Sequence, residues 1–302
     1  MEIPKGFLEG EVRDGFYVES MMKKVWAAGI EVLCEIDKVC KKHNIQYFAD
    51  WGTLLGTIRH KGFIPWDDDM DITMKREDYT RFCQVAQKEL PEGFVVCNIH
   101  TEPGWVDMLT HVTNGRSVDF REEYLEKYHG CPYVVGIDIF PLDYLAPTKE
   151  EDEFNCQLIK IVEITAKFID NMEEGEEKDK TVSDIENMCG VKFRNDMPLS
   201  VQMYKLGERL SMMYSEEEAT HIALIPDHAC NRPNDVYPKE YYASSIDMPF
   251  EYITIPVPVG YEEILKVKYG ENYRKPVIGH GGHEYPFYKK QKMMVYKELG
   301  ML

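Results

Sequence analysis

Positive charge is scarce in this sequence. Among 302 residues, 35 Lys and Arg stand against 53 Asp and Glu, giving a net charge of −18 and a pI near 5.0. A surface that negative repels a phosphate backbone, which excludes broad nucleic-acid binding. It leaves room for a small anionic substrate held locally through metal ions. C-x-x-C pairs are absent: Cys34, Cys40, Cys83, Cys97, Cys131, Cys156, Cys189 and Cys230 are scattered. Neither a structural zinc knuckle nor a redox dithiol is indicated. A chain this long needs no disulfide staples, so free, mostly buried thiols in a reducing compartment are expected. No apolar run approaches the ~20 residues of a membrane-spanning helix. The opening MEIPKGFLEGEVRDG has neither the basic start nor the apolar stretch of a signal peptide. A cytoplasmic protein is expected. Repeats and low-complexity tracts are also missing.

What is present is material for a full core, with 44% hydrophobic and 12% aromatic residues. Met22, Val25, Trp26, Val32, Leu33, Ile36, Val39 and Cys40 form the stripe of an amphipathic helix over 18–43. QYFAD at 46–50 reads as a strand, followed by a short helix from Gly52-Thr53 that Gly62 and Pro65 end. Residues 69–74 alternate with period two, a strand, and a helix follows over 77–90. Strands are expected at 94–99, 106–113 and 116–120, the last two as a hairpin across Asn114-Gly115. YVVGIDIF at 133–140 reads as a buried central strand that Pro141 stops. After residue 149 a long helix carries Phe154, Leu158, Ile161, Val162, Thr165, Phe168 and Ile169, and DNMEEGEEKDK reads as a solvated loop. Helices follow at 199–214 and 261–269. The chain thus divides into a mixed α/β part, 1–148, and a mainly helical part, 149–302, taken as the acceptor side.

The chemistry concentrates in FADWGTLLGTIRHKGFIPWDDDMD, residues 48–71. Residues two apart on a strand point the same way, so Asp69 and Asp71 aim two carboxylates into one space. Unpaired, they raise each other's pKa; a divalent cation removes the conflict, and hard carboxylate oxygens suit Mg²⁺ or Mn²⁺. Asp138, inside VVGIDIF, is a third carboxylate in a place where an ionised group is costly unless paired or bound to metal. Three such groups can hold two cations about 3.5–4 Å apart, an arrangement suited to in-line displacement at phosphorus. Gly52 and Thr53 at a helix N-terminus offer an anion site. Arg59 and Lys61 are expected to clamp phosphoryl oxygens. His60 between them is a candidate phosphate contact or proton donor, with a structural hydrogen bond as the alternative. Asp143 is read as a helix or turn cap or a substrate contact. The run is not a calcium-binding EF-hand loop, because Ile72 stands where that loop needs Gly.

The segment WGTLLGTIRHKGFIPWDDDMDI, followed by IDIFPLD at 137–143, resembles the LicD family of phosphorylcholine transferases and, more distantly, fukutin-type ribitol-phosphate transferases. VPVGYEEILKVKYGENYRKP at 257–276 is a weaker match. The resemblance implies a nucleotidyltransferase-like fold, a mixed sheet flanked by helices, with Asp69, Asp71 and Asp138 as metal ligands. It places Gly52, Thr53 and Arg59 toward the donor phosphates. Trp51 departs from the family, which commonly has a second Gly there. The implied donor is a CDP-linked alcohol, CDP-choline first, bound across two Mg²⁺. The implied acceptor is a hydroxyl of a surface glycan, teichoic-acid-type polymer or lipid-linked saccharide, and CMP is released. Rival readings are a glycosyltransferase using Asp69-x-Asp71 with a nucleotide-sugar, and a catalytically silent binding module on the same fold. His280 and His283 in GHGGHEYP, with His228 or Cys230, suggest zinc only weakly, because no fourth ligand is spaced convincingly; a polar loop is expected.

Overall fold

A computed structural model describes residues 2–102, 104–279 and 285–301; His280 and His283 lie outside the described residues. The chain forms two compact units interleaved in sequence. The first comprises Met1–Val96, His111–Ile139 and Tyr242–Leu302, the second Cys97–Thr110 and Phe140–Tyr241. The compositional change read at residue 148 falls within the second.

A hairpin of β1 (Glu11–Arg13) and β2 (Phe16–Val18) leads into α1 (Ser20–His43). All eight residues of the apolar stripe are buried in α1, and Lys41, Lys42 and His43 in its last turn complement the helix dipole. Next come β3 (Phe48–Ala49), α2 (Trp51–His60), β4 (Asp71–Lys75) and α3 (Arg76–Glu89). Strand β4 starts two residues later than the alternation suggested, so Asp69 precedes it. β3 and β4 are antiparallel, with Ala49 opposite Ile72.

Strands β5 (Val95–Cys97) and β6 (Thr110–Thr113) follow, then α4 (Glu122–Lys127) and β7 (Gly136–Tyr144). The hairpin expected across Asn114-Gly115 does not form, and residues 116–120 carry no strand. The buried Asn114 side chain instead accepts from the Val135 amide at 2.9 Å and donates to the Tyr133 carbonyl at 3.4 Å. Nor does Pro141 end β7. A proline's fixed φ suits an extended chain and removes only one donor, and beyond it Asp143 and Tyr144 pair with Ala223 and Ile222.

In the second unit lie α5 (Lys149–Ala166), α6 (Glu176–Cys189), α7 (Leu199–Ser211), β8 (His221–Ala223), α8 (Ile225–Cys230) and β9 (Tyr237–Pro238). Ile159, Val162, Ile169, Ile185, Met203 and Leu206 build its core. On α5 the expected apolar face is half right: Val162 is buried, while Phe154 and Ile161 are exposed. The acidic stretch read as a loop begins α6, because Glu176, Glu177 and Asp179 sit in its first turn, where negative charge is favourable.

The chain then returns to the first unit with an antiparallel hairpin, β10 (Ser245–Phe250) and β11 (Ile253–Pro258), followed by α9 (Tyr261–Tyr269) and α10 (Tyr288–Glu298). A mainly helical C-terminal part did not anticipate this hairpin. Its turn residue Glu251 donates its amide N–H to the Lys61 carbonyl at 2.7 Å and accepts from the Phe63 amide at 3.1 Å. A Cβ at Gly62 would stand 2.2 Å from the Glu251 carboxylate, so only glycine lets the turn dock on this loop.

The result is a mixed α/β fold. Its main sheet runs β3-β4-β7-β6-β5, with β8 pairing β7 and β9. None of the eight cysteines is in a disulfide, as expected, but only Cys40 and Cys131 are fully buried. Asn114→Ala leaves the Val135 amide without its partner and is expected to destabilise the fold by about 1–3 kcal/mol. A lowered denaturation midpoint at unchanged slope in urea unfolding checks it.

Candidate active site

The acidic run, residues 67–71, is itself held by its neighbours. Trp26, stacked flat on Phe63 at 4.7 Å, donates its indole N–H to the Asp67 carbonyl at 3.0 Å. Asp68 is buried and its carboxylate accepts from the Phe287 amide at 2.6 Å, which makes it a structural tie. The Asp71 amide donates to the Thr53 hydroxyl at 2.8 Å, and the Asp71 carbonyl accepts from the Asp50 amide at 3.1 Å. The Asp138 amide donates to the Met70 carbonyl at 3.1 Å, setting β7 beside the residue between Asp69 and Asp71.

Electrostatics report what this brings together. The Asp71 carboxyl is pushed well above the ordinary carboxylate range, first by removal from water and then by the charges of Asp69, Asp138, Asp67 and Asp50. Asp67 is pushed up likewise, by burial and then by Asp69 and Asp68. Asp67, Asp68 and Asp69 place one carboxylate oxygen each within 4.8 Å of one another. Asp69, Asp138 and Asp67 thus all act electrostatically on Asp71, while among the described residues the acids that approach one another at metal-ligand spacing are Asp67, Asp68 and Asp69. Hard oxygens crowded against their own repulsion are the donor chemistry that fits Mg²⁺ or Mn²⁺.

The expected phosphate cluster is arranged differently. Helix α2 starts at Trp51, capped by Asp50, whose carboxylate accepts from the Trp51 amide at 2.7 Å. Thr53 is buried with its hydroxyl committed to Asp71. A Cβ at Gly52 would meet the Asp67 carboxylate at 2.3 Å, so the missing side chain makes room for that acid. Arg59 lies seven residues along the same helix, about 10 Å from Gly52. Its guanidinium donates to the Tyr273 carbonyl at 3.2 Å and to the His60 ring at 3.3 Å. His60 sits 3.1 Å from the Asp14 carboxylate, and burial followed by Arg59 lowers its pKa, keeping it neutral at pH 7. Lys61 is exposed and ends α2 in a left-handed conformation, φ 57°. Gly52 and Thr53 are thus at one end of α2, Arg59, His60 and Lys61 at the other. Asp143 is no cap: it is buried inside β7, opposite Ala223.

Two neighbours escaped the sequence reading. His111 on β6 contacts the Asp138 carboxylate through Nδ1, and a Cβ at Gly136 would stand 2.5 Å from the His111 ring. A His inside the β-branched run THVT, with a glycine on the next strand, was the available signal. The Lys268 ammonium on α9 lies 2.5 Å from Asp50, both almost wholly buried, and 3.6 Å from the centre of the Trp51 ring. Trp51 has φ 44°, a region that favours glycine, which accounts physically for the glycine common there in the family.

Residues 44–183 match the family model described as LicD/FKTN/FKRP, nucleotidyltransferase domain. This segment belongs to the LicD family. The match contains all of Gly52, Thr53, Arg59, Asp69, Asp71, Asp138 and His111. The chain is also 28% identical over 251 residues to the lipopolysaccharide cholinephosphotransferase LicD of Haemophilus influenzae, covering 82% of this chain and 89% of that protein. An uncharacterized protein of Rickettsia typhi is 42% identical over 64 residues, 21% of each chain. Another of Rickettsia prowazekii is 36% identical over 66 residues, 22% of this chain and 25% of that one. No helix among the described residues is long and apolar enough to cross a membrane.

An acid whose folded pKa is raised stabilises the fold fully below its unfolded value, here 3.8, and that contribution is lost as pH rises through the folded value. Metal-free protein is therefore expected to lose stability from about pH 4 upward. Asp71→Asn should flatten that fall and raise the metal-free melting temperature at pH 7, while abolishing the stabilisation that added Mg²⁺ gives the parent. Thermal unfolding across pH, with and without Mg²⁺, checks both.

Proposed function

We propose that this protein is a metal-dependent phosphotransferase that moves a phospho-alcohol, phosphocholine first, from a CDP-linked donor to a hydroxyl of a glycan or lipid-linked saccharide. Membership of residues 44–183 in the LicD family supports the transferase class, and similarity to a lipopolysaccharide cholinephosphotransferase supports phosphocholine and a glycan acceptor. One observation carries the chemistry: the Asp138 amide donates to the Met70 carbonyl at 3.1 Å, which sets its segment against the run holding Asp69 and Asp71, and Asp69 and Asp138 both raise the Asp71 pKa.

Asp69, Asp71 and Asp138 would hold the ions, two Mg²⁺ or Mn²⁺. When bound, such ions neutralise the donor diphosphate and the charge that develops during in-line displacement. The acceptor oxygen attacks the distal phosphorus, the bond from that phosphorus to the bridging oxygen of CMP breaks, and CMP leaves with the bond's electrons. The hydroxyl proton goes to a carboxylate of the cluster. His111, touching Asp138 from β6, orients that side chain and offers the proton an onward path. Arg59, its guanidinium turned to Tyr273 and His60, can swing to a phosphoryl oxygen only by leaving those partners.

The purified chain with Mg²⁺ is offered a panel of CDP-alcohols and UDP-sugars, and is scored for thermal protection and nucleotide release. Protection by one CDP-alcohol and release of CMP are expected. Asp71→Asn should lower turnover by roughly 10³-fold or more with the circular dichroism spectrum unchanged. UDP-forming turnover of a UDP-sugar would replace this reading by the glycosyltransferase. An Asp71→Asn protein of full activity would remove the metal mechanism.

A further inference from the structure

The second unit carries a mixed-donor cluster that the phosphotransfer chemistry does not use. Asp152 and Cys156 are four residues apart on α5, so both side chains leave the same helix face. His228, from α8, sits against them, and the three residues place one donor atom each within 4.8 Å of one another. The Asp152 carboxylate lies 3.2 Å from His228 Nε2 and holds the ring in place. The ring is only 9% exposed, and Cys156 as well as Asp152 interacts with it, so both α5 side chains converge on one buried imidazole.

We propose that Asp152, Cys156 and His228 form a site for a zinc-class divalent ion that ties α8 to α5. The donors decide the metal. A thiolate and an imidazole beside one carboxylate suit zinc or cobalt, whereas Mg²⁺ and Ca²⁺ take oxygen ligands. Bonds of about 2.0–2.3 Å in a tetrahedron put donors roughly 3.3–3.8 Å apart, close to the 3.2 Å between Asp152 and His228. Asp152 and Cys156 are only half buried and can adjust to an ion through their own rotamers. Three protein ligands leave a fourth position for water. Cys230, on the same short helix, is not part of the set: its thiol donates to the Glu163 carboxylate at 2.9 Å. Helix α8 has six residues, too few to hold itself in place by its own hydrogen bonds, so an ion joining it to α5 fixes its position.

The test uses the full-length chain, stripped with chelator and titrated with Zn²⁺ and then with Co²⁺. One equivalent of zinc should be retained through gel filtration. It should raise the unfolding midpoint by roughly 4 °C at a hundredfold excess over Kd. Co²⁺ should give the intense near-ultraviolet absorption of a thiolate-bound ion, which the all-carboxylate cluster around Asp71 cannot produce. Cys156→Ser should abolish that band and Asp152→Asn should weaken retention at least tenfold, with Cys230→Ser unchanged. His228→Ala should also lose the ion; if that buried change prevents folding, the two half-buried variants decide the matter. Absence of the thiolate band, its survival in Cys156→Ser, or its loss in Cys230→Ser would each overturn the site. None of these readouts depends on phosphotransfer, so the site and the proposed activity stand or fall separately.

Discussion

Repulsion among carboxylates organises the first unit. Asp71 is crowded by Asp69, Asp138, Asp67 and Asp50, an arrangement that only a rigid surround can hold without a counter-ion. That surround is built from groups with no charge to offer. The Trp26 indole fixes the Asp67 carbonyl, the Thr53 hydroxyl fixes the Asp71 amide, and the Met70 carbonyl receives the Asp138 amide. The glycines at 52 and 136 make room for Asp67 and His111 respectively. Preorganisation of this kind puts the cost of gathering like charges on folding, so that a cation meets ligands already in place.

The same economy of positive charge runs through the chain. With acids in excess by eighteen, buried cations are placed where they answer particular carboxylates. Lys268 answers Asp50 and covers the Trp51 ring, and Arg13 answers Glu251 at the tip of the C-terminal hairpin. The first pair joins the tail of the chain to the residue before α2, the second joins it to β1. The tail therefore supports the cluster through packing and pairing, while the carboxylates themselves all come from residues before 140.

Elements with a clean period were legible in advance. The stripe of α1 and the short α2 follow from spacing alone, and β7 was legible as a buried strand, whereas Asp69 precedes β4 rather than sharing a strand face with Asp71. Misreadings occurred where a local signal competed with a distant partner. Asn114-Gly115 looks like a hairpin turn, but the Asn114 amide is recruited by Val135 and Tyr133. Pro141 looks like a strand end, yet β8 pairs with the residues after it. The acids of 170–180 look like solvated loop, although three of them suit a helix start.

The sequence by itself determined the negative net charge, the family resemblance and the strongly periodic elements, because composition, motif order and period are properties of the chain read locally. Only tertiary structure decided that Thr53 serves Asp71, that Arg59 and Lys61 stand at the far end of α2, that His111 touches Asp138, and that Asp152, Cys156 and His228 meet. Those contacts join residues from about 18 to 76 positions apart. Their existence depends on how helices and strands pack, which no spacing within a single element encodes.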